Sequence, residues 1–212
     1  MKTKTVLATV FTLLLASSSF AQSIKTCQTG SLASYIALGS GGCMFDSALY
    51  RNFTYTSSAA TTNGVNPNDI TVTPILLPTA TLFPGLNFSA KWMAAKDTAQ
   101  QSTIGYNVVP FPPQASPVPT GAVLTLDLGT TQVFGIIGSV TVTETTSATS
   151  TTDLLKVYES CEDACMLKQS DSVVVTPVGS LQTAIVISLY GGTGGVLLDN
   201  FAADDAFGPQ PE

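Results

Sequence analysis

LNFSAKW, residues 86–92, alternates apolar and polar side chains at every position. In an extended strand, successive side chains point to opposite faces, so Leu86, Phe88, Ala90 and Trp92 would share one face. A strand with one apolar and one polar face indicates a sheet that is packed on one side and solvated on the other. The segment therefore predicts a strand that contributes a large tryptophan to a sheet-packed core.

The same alternation recurs in STIGYNV, residues 102–108, and in SVTVTE, residues 139–144. Similar runs are found at Leu49–Thr56, Ile70–Leu76, Ala122–Leu128, Leu154–Glu159, Ser172–Val178, Thr183–Tyr190 and Val196–Phe201. About ten short strands separated by Gly, Pro and Asn are typical of an antiparallel sandwich or barrel. We predict an all-β protein, an antiparallel β-sandwich of about ten strands.

One segment near the start has helical spacing. Within Ser31–Leu38, Leu32, Tyr35 and Ile36 fall on one helical face, Ser31 is a favourable N-cap, and Gly39 is a favourable stop. We expect one short N-terminal helix here.

Two stretches break the alternation. Pro110–Gly121 contains five prolines and cannot form a central strand, so we expect a stiff connection that crosses between sheets. Thr145–Thr152 has low complexity and is expected to be a mobile loop. Either half of the chain alone would leave an apolar sheet face uncovered, so we treat residues 22–208 as one β-sandwich domain, with two domains as the alternative.

The first residues, 1–21, have the features of a secretory signal peptide. Two lysines precede the apolar run Val6–Ala16, and small residues stand at Ser19 and Ala21. Cleavage is expected between Ala21 and Gln22, by a signal peptidase. The alternative is a membrane anchor, but eleven apolar residues span only about 17 Å as a helix, against a hydrocarbon core of about 30 Å.

The charge of the processed chain excludes some partners. Residues 22–212 contain six basic residues against fourteen acidic ones, a net charge of −8. This balance repels phosphate backbones, so nucleic acid is not expected as a partner. No basic amphipathic helix offers a membrane-surface patch.

Four cysteines, Cys27, Cys43, Cys161 and Cys165, remain after cleavage. An even number in an exported chain indicates disulfides. Three pairings are possible, and we favour Cys27–Cys43 and Cys161–Cys165 because each joins near neighbours in sequence. A four-thiolate zinc site is the alternative, although only the second spacing lies in the usual range.

No catalytic motif is evident. The chain has no histidine, which excludes Ser-His-Asp and Cys-His arrangements. Paired carboxylates could hydrolyse glycosides, but sequence spacing does not give their separation in a β fold. The candidates are Glu159 with Glu162 or Asp163, and Asp199 with Asp204 or Asp205. We do not expect an enzyme, and we expect no cofactor.

Two further motifs have ordinary explanations. GGTGG, residues 191–195, lacks the lysine and the strand-loop-helix context of a phosphate loop, so a turn between strands explains it better. Asp199, Asn200, Asp204 and Asp205 form a weak calcium candidate that lacks EF-hand spacing.

The order of several segments resembles a known group of exported proteins. SLASYIALGSGGC precedes FDSALYRNFTY, DITVTPI, PGLNFSAKW, STIGYNV and GSVTVTET, and VVVTPVGSLQTAIVISLYGGTGG closes the series. In this order they are similar to secreted bacterial PEP-CTERM sorting-domain proteins. The resemblance spans most of the processed chain. It implies an exported, Ser/Thr-rich β protein of unassigned activity, carrying a C-terminal address for an exosortase and linked to extracellular polysaccharide and biofilm.

The last residues, GPQPE, fit this resemblance in part. The family signal is Pro-Glu-Pro, then an apolar membrane helix and a basic tail, whereas here only Pro211 and Glu212 match. Residues 209–212 are therefore interpreted as the stub of a sorting signal, with a released relative as the alternative. The chain is expected to have no stable membrane span and to be secreted or held at the surface of a Gram-negative-type bacterium.

Two functional classes stay open. The first is a non-enzymatic surface or extracellular-matrix-associated β-sandwich protein. The second is a secreted carbohydrate-binding module for extracellular polysaccharide. A sugar platform needs exposed aromatic rings, but Trp92 alternates in phase with Leu86 and Phe88 and is expected in the core.

Overall fold

The computed structural model describes residues 24–58, 64–77, 83–110, 121–148, 151–162, 164–175 and 179–208. This part of the chain contains fifteen strands and one helix. In chain order they are β1 Lys25–Thr26, β2 Gly30–Ser31, α1 Leu32–Ile36, β3 Cys43–Phe45, β4 Ala48–Ser57, β5 Thr71–Leu77, β6 Phe83–Ala94, β7 Ala99–Pro110, β8 Gly121–Leu128, β9 Thr131–Val133, β10 Gly138–Ala148, β11 Thr151–Cys161, β12 Cys165–Lys168, β13 Ser170–Val175, β14 Leu181–Tyr190 and β15 Val196–Gly208.

The prediction of an all-β sandwich is confirmed. Each of the ten alternating segments overlaps a strand, and the five further strands, β1, β2, β3, β9 and β12, have two to four residues. Four of these have two or three residues, too few for alternation to be recognised, and the four residues of β12, CMLK, do not alternate.

The strands form two stacked sheets. The first sheet has eight strands in the order β1-β3-β4-β7-β14-β10-β11-β12. The second has seven, in the order β13-β8-β15-β6-β5-β2, with β9 paired to β15. Among the described pairings, β1 with β3 is parallel and the others are antiparallel. The antiparallel expectation therefore holds apart from this two-residue pair.

The prediction of a mobile loop at Thr145–Thr152 is wrong. β10 and β11 pair in continuous register from Gly138 opposite Cys161 to Ala148 opposite Thr151, so most of this stretch is a hairpin. Threonine is β-branched and favours strands, and Thr146 is buried. Low complexity concealed the alternation because apolar and polar positions both carry threonine or serine.

An aromatic chain joins the two sheets across the core. Phe53 of β4 stacks on Tyr106 of β7 with 5.4 Å between ring centroids, and Tyr106 lies 6.2 Å from Phe88 of β6. Phe88 stacks at 5.2 Å on Phe201 of β15, which contacts Trp92 at 5.6 Å. Trp92 is fully buried, as the alternation of apolar and polar residues in 86–92 predicted.

Two connections that could be read from the chain run from the first sheet to the second. β7 of the first sheet ends at Pro110 and β8 of the second begins at Gly121, so the proline-rich segment does join the two sheets. β12 and β13 also belong to different sheets, and Gln169 alone separates them. The edge formed by β11 and β12 therefore lies beside the edge formed by β13 and β8.

The predicted helix is present and short. It covers Leu32–Ile36, the Ser31 side chain accepts a hydrogen bond from the Ser34 N–H at 3.2 Å, and the chain leaves through Gly39 at φ 56°. Leu32 and Tyr35 are buried against the sandwich. The N-cap and the left-handed glycine thus set both ends, as expected.

Both favoured disulfides are formed. Cys27 bonds to Cys43 and Cys161 bonds to Cys165, and no described cysteine is free. The first bond joins β3 to the segment that precedes α1. The second closes the β11–β12 hairpin, where the two cysteines are directly opposite each other. The zinc alternative is thereby excluded, because no thiolate is left to bind a metal.

Replacing both cysteines of one disulfide with alanine should lower the free energy of unfolding, and the loss should be larger for Cys27–Cys43 than for Cys161–Cys165. Loss of Cys27–Cys43, with a sequence separation of 16, should lower the free energy of unfolding by about 3 kcal/mol. Loss of Cys161–Cys165, with a separation of 4, should cost about 2 kcal/mol, because the unfolded chain gains less freedom. Urea denaturation measures both, and non-reducing peptide mapping checks the pairing. A Cys27–Cys161 link would contradict it.

Several sequence predictions concern residues outside the described part. These are the signal peptide 1–21, its cleavage site at Ala21 and Gln22, and the sorting-signal stub with Pro211 and Glu212. They stay predictions. Among the described residues, no helix has the length and apolar character needed to span a bilayer.

Candidate functional site

A cleft of about 570 Å³ opens at the edge where the two sheets are joined. It lies between the β11–β12 hairpin of the first sheet and the β8–β9 turn of the second. Its lining consists of Leu128, Gly129, Thr130, Thr131, Glu159, Leu167, Gln169 and Asn200. Polar side chains and apolar leucines therefore share one concave surface.

The first wall of the cleft is the disulfide-closed hairpin. Glu159 on β11 and Leu167 on β12 are directly opposite each other, two positions from the Cys161–Cys165 pair. On β11, Leu155 and Val157 are buried, and Glu159 continues their alternation toward the second sheet. The row of core side chains thus changes from apolar to acidic where the sandwich opens.

The opposite wall is the turn from Leu128 to Thr131, which Asn200 holds in place. The Gly129 N–H donates to the Asn200 carbonyl oxygen at 3.0 Å, and the Thr130 N–H donates to Asn200 Oδ1 at 2.8 Å. A Cβ on Gly129 would overlap Asn200 Oδ1, so the close approach requires glycine. β15 has a register shift between Leu198 and Asn200, and this irregularity places the asparagine under the turn.

The base of the cleft is Gln169, the single residue between β12 of the first sheet and β13 of the second. The Leu128 N–H donates to the Gln169 carbonyl oxygen at 2.7 Å, while the Gln169 side chain is exposed. The backbone of Gln169 is thereby fixed and its side-chain amide can meet a ligand. Both walls are tied to hydrogen-bonded backbone, so the cleft is formed before any ligand binds.

Glu159 is the one charged residue among the described residues of the lining. The Thr131 hydroxyl donates a hydrogen bond to Glu159 Oε2, across the cleft from the second sheet. A charged acceptor strengthens such a bond, which fixes the position of the carboxylate. The cleft therefore presents one anchored negative charge.

Lys168, the cation between the lining residues Leu167 and Gln169 in the chain, is already paired. Lys168 Nζ lies 2.8 Å from Asp171 Oδ2, and the Lys156 N–H donates to the same oxygen at 2.8 Å. Desolvation would raise the pKa of Asp171, but the hydrogen bonds from Lys168 and Lys156 outweigh it and hold the pKa below its ordinary value. Asp171 is thus ionised at neutral pH and neutralises Lys168.

Of the paired-carboxylate candidates, only Glu159 is found among the described residues of the cleft lining. Glu159 faces the cleft, Glu162 is exposed and outside the lining, and Asp163 lies outside the described residues. Asp199 and Asp204 stand on the same strand five residues apart, or about 16 Å in an extended chain. Among the described side chains no second carboxylate lines the cleft beside Glu159.

The weak calcium candidate is likewise not assembled. Asp199 and Asn200 adjoin the cleft, whereas Asp204 is buried farther along β15, about 13 Å from Asn200 for an extended strand. The side chain of Asp205 is outside the described set. Asn200 Oδ1 accepts the Thr130 N–H instead, and the described residues contain no group of three metal-binding side chains.

GGTGG is the turn between β14 and β15, as interpreted from sequence. It packs between the β6–β7 turn and the β9–β10 loop at one end of the sandwich. The Asp97 N–H donates to the Gly192 carbonyl at 2.8 Å, and the Phe134 N–H donates to the Gly195 carbonyl at 2.8 Å. A Cβ on Gly192 would overlap the Ile137 carbonyl oxygen, so backbone approaches backbone directly.

A second cavity of about 210 Å³ lies beside the Cys27–Cys43 bond. Tyr35 lines it and donates its hydroxyl proton to the Gln28 carbonyl oxygen at 2.8 Å. Burial raises the pKa of Tyr35 to about 12, so the phenol stays protonated and keeps donating. The hydroxyl is therefore committed to holding the N-terminal segment.

Sequence reasoning named two of the residues that line the cleft, Glu159 and Asn200, but in other roles. It missed Gly129, Thr131 and Gln169. The one local signal was the Gly-Thr pair that follows the β8 strand, which marks a turn but not what the turn faces. Trp92, weighed as a sugar platform, is buried away from any ligand.

No family model matches the chain, and no curated protein is similar to it in sequence. Solved structures resemble it weakly. A chain from a study of carbohydrate-binding modules of the β-sandwich superfamily has 11% identity and a TM-score of 0.30. The match covers 74% of this chain and 56% of the other, so this chain spans little more than half of that structure's length. The enzymatically active domain of the bacteriophage CBA120 tailspike protein 4 has 12% identity and a TM-score of 0.30. The match covers 74% of this chain and 19% of the tailspike chain.

A third similar structure is the family 11 carbohydrate-binding module from Clostridium thermocellum in complex with a β-1,3-1,4-mixed-linked tetrasaccharide. It has 9% identity and a TM-score of 0.24, covering 76% of this chain and 91% of its own. With identities of 9–12% and TM-scores of 0.30 or less, none of the three bears on what this chain does.

Proposed function

We propose that this chain is an exported, non-catalytic β-sandwich protein that binds extracellular polysaccharide in the cleft between its sheets. The observation that carries the proposal is the cleft itself, with its preformed lining of hydroxyl, amide and carboxylate groups. A concave, preformed site with a few placed polar groups is the usual form of a small-ligand site.

The lining suits sugar rings. Saccharide hydroxyls both donate and accept hydrogen bonds, and Glu159, Gln169 and Thr130 offer acceptors and donors of the matching kinds. Leu128 and Leu167 can pack against the apolar face of a ring. The mixture is too polar for a lipid tail, and its charge is of the wrong sign for a phosphate.

Export is supported by the disulfides. Both pairs are formed, and such bonds persist in oxidising compartments outside the cytosol. We propose that the signal peptide delivers the chain there and that binding in the cleft associates it with an extracellular matrix. Sorting by an exosortase, implied by the PEP-CTERM resemblance, stays a prediction.

The absence of catalysis is part of the proposal. Hydrolysis of glycosides requires two cooperating carboxylates, and Glu159 has none beside it among the described lining residues. The chain also contains no histidine. Incubation of the protein with a bound oligosaccharide should leave the sugar intact, whereas released reducing ends would contradict this part.

Gln169→Ala should weaken binding of a soluble polysaccharide about three- to tenfold, the loss of one or two neutral hydrogen bonds. Stability should stay unchanged, because the side chain is exposed and the backbone bond to Leu128 remains. Titration calorimetry against a panel of neutral and charged oligosaccharides measures the affinity.

The matched control is Gln182→Ala. Gln182 is an exposed glutamine on β14, outside the cleft lining, so this change should leave binding intact. Equal loss in both variants would show that the cleft is not the binding site. No binding of any oligosaccharide by the unaltered protein would favour the purely structural surface-protein hypothesis.

A further inference from the structure

We propose that the cleft prefers a cationic amino-sugar polymer, such as de-N-acetylated glucosamine chains, over neutral or acidic glycans. This inference rests on the proposed function and specifies its substrate class. The juxtaposition that carries it is the Glu159 carboxylate, the one charged group among the described lining residues, facing the cleft among neutral polar groups.

The carboxylate has one oxygen available. Glu159 Oε2 accepts the Thr131 hydroxyl proton, and no other hydrogen bond to this side chain is made by the described residues. Glu159 Oε1 is therefore open to a donor from a ligand. Because Thr131 belongs to the opposite sheet, its hydroxyl holds the carboxylate in place without neutralising its charge.

Among the described lining residues, no cation competes for this charge. The described lining contains no lysine or arginine, and Lys168, the residue before Gln169 at the base of the cleft, is paired with Asp171 at 2.8 Å. The chain as a whole is acidic, with a formal net charge of −6. The charge of Glu159 would repel a uronate, a neutral sugar would leave the carboxylate partly unmatched, and an ammonium would complement it.

An ion pair between Glu159 and a ligand ammonium should be stronger than one at an open surface, because of where Glu159 lies. The side chain is half-buried at the junction of the sheets, where the effective dielectric is lower than in water. Charge-assisted hydrogen bonds are about twice as strong as neutral ones, and an ammonium offers three donors. The sugar ring that carries the ammonium can then contact Leu167, which is directly opposite Glu159.

The test compares glucosamine tetramers with and without the N-acetyl groups that remove the positive charge. Calorimetry in low salt should show glucosamine tetramer binding about tenfold more tightly than N-acetylglucosamine tetramer, and the difference should shrink in about 0.5 M salt because screening weakens the charge pair. Glu159→Gln keeps the shape and an acceptor for Thr131, and it should abolish the preference. Glu162→Gln, the same change at an exposed site outside the lining, should retain it.

Each other outcome has a definite meaning. Equal affinity for the two tetramers, or tighter binding of the acetylated one, overturns the inference while leaving carbohydrate binding established. Binding of neither, with the protein folded by circular dichroism, overturns the proposed function as well. Spermidine binding as tightly as the glucosamine tetramer would show a general cation site rather than an amino-sugar site.

Discussion

Trp92→Ala should lower the free energy of unfolding by about 3–5 kcal/mol. The indole is fully buried, contacts Phe201 at 5.6 Å, and belongs to the aromatic chain that joins the two sheets. Truncation to alanine removes its apolar contacts and leaves a cavity that the rigid strands on either side cannot close. Urea denaturation followed by far-UV circular dichroism measures the loss.

Met93→Ala is the matched control for this change. Met93 is the next residue on β6, is 51% exposed, and lies on the opposite face of the strand. Its truncation should cost less than about 0.5 kcal/mol. Trp92 is the single tryptophan of the chain, so its fluorescence in the unaltered protein should report unfolding of the core. A stable Trp92→Ala variant that fails to bind polysaccharide would instead make Trp92 a ligand contact.

Gly192→Ala should also lower the free energy of unfolding by about 3–5 kcal/mol, from overpacking together with an unfavourable left-handed backbone. Gly192 has φ 48°, and a Cβ there would overlap the Ile137 carbonyl oxygen and carbon. These are backbone atoms of the β9–β10 loop and cannot rotate away as a side chain would. The three loops at this end of the sandwich would have to separate.

Two other glycines distinguish the cost of overpacking from the cost of the left-handed backbone. Gly39 has φ 56°, and a Cβ added there would meet no heavy atom within 4 Å, so Gly39→Ala should cost only the backbone penalty of about 1–2 kcal/mol. Gly179 has neither a crowded position nor a left-handed φ, and Gly179→Ala should be near neutral. If Gly192→Ala cost no more than Gly39→Ala, the close loop packing would be refuted.

The candidate site shows where sequence reasoning reaches its limit. Glu159 could be selected as one of several carboxylates, but its hydrogen-bond partner Thr131 lies 28 residues away on another sheet. Asn200 was grouped with neighbouring aspartates as a cation ligand, yet its side chain holds the β8–β9 turn. Both roles depend on which loops meet at the sheet junction, and spacing along one strand contains no information about that.

From the sequence alone, the ten longer strands, the short helix, the favoured cysteine pairing and the burial of Trp92 could be predicted. These follow from local physics, because side chains alternate along a strand, Ser31 caps the turn that follows it, and nearby cysteines close small loops. The cleft and the glycine-packed loops, in contrast, depend on how the sheets pack together. Gly129, Gln169 and Gly192 acquire their roles where segments distant in the chain come within contact distance, and that approach is set by the stacking and edge order of the two sheets.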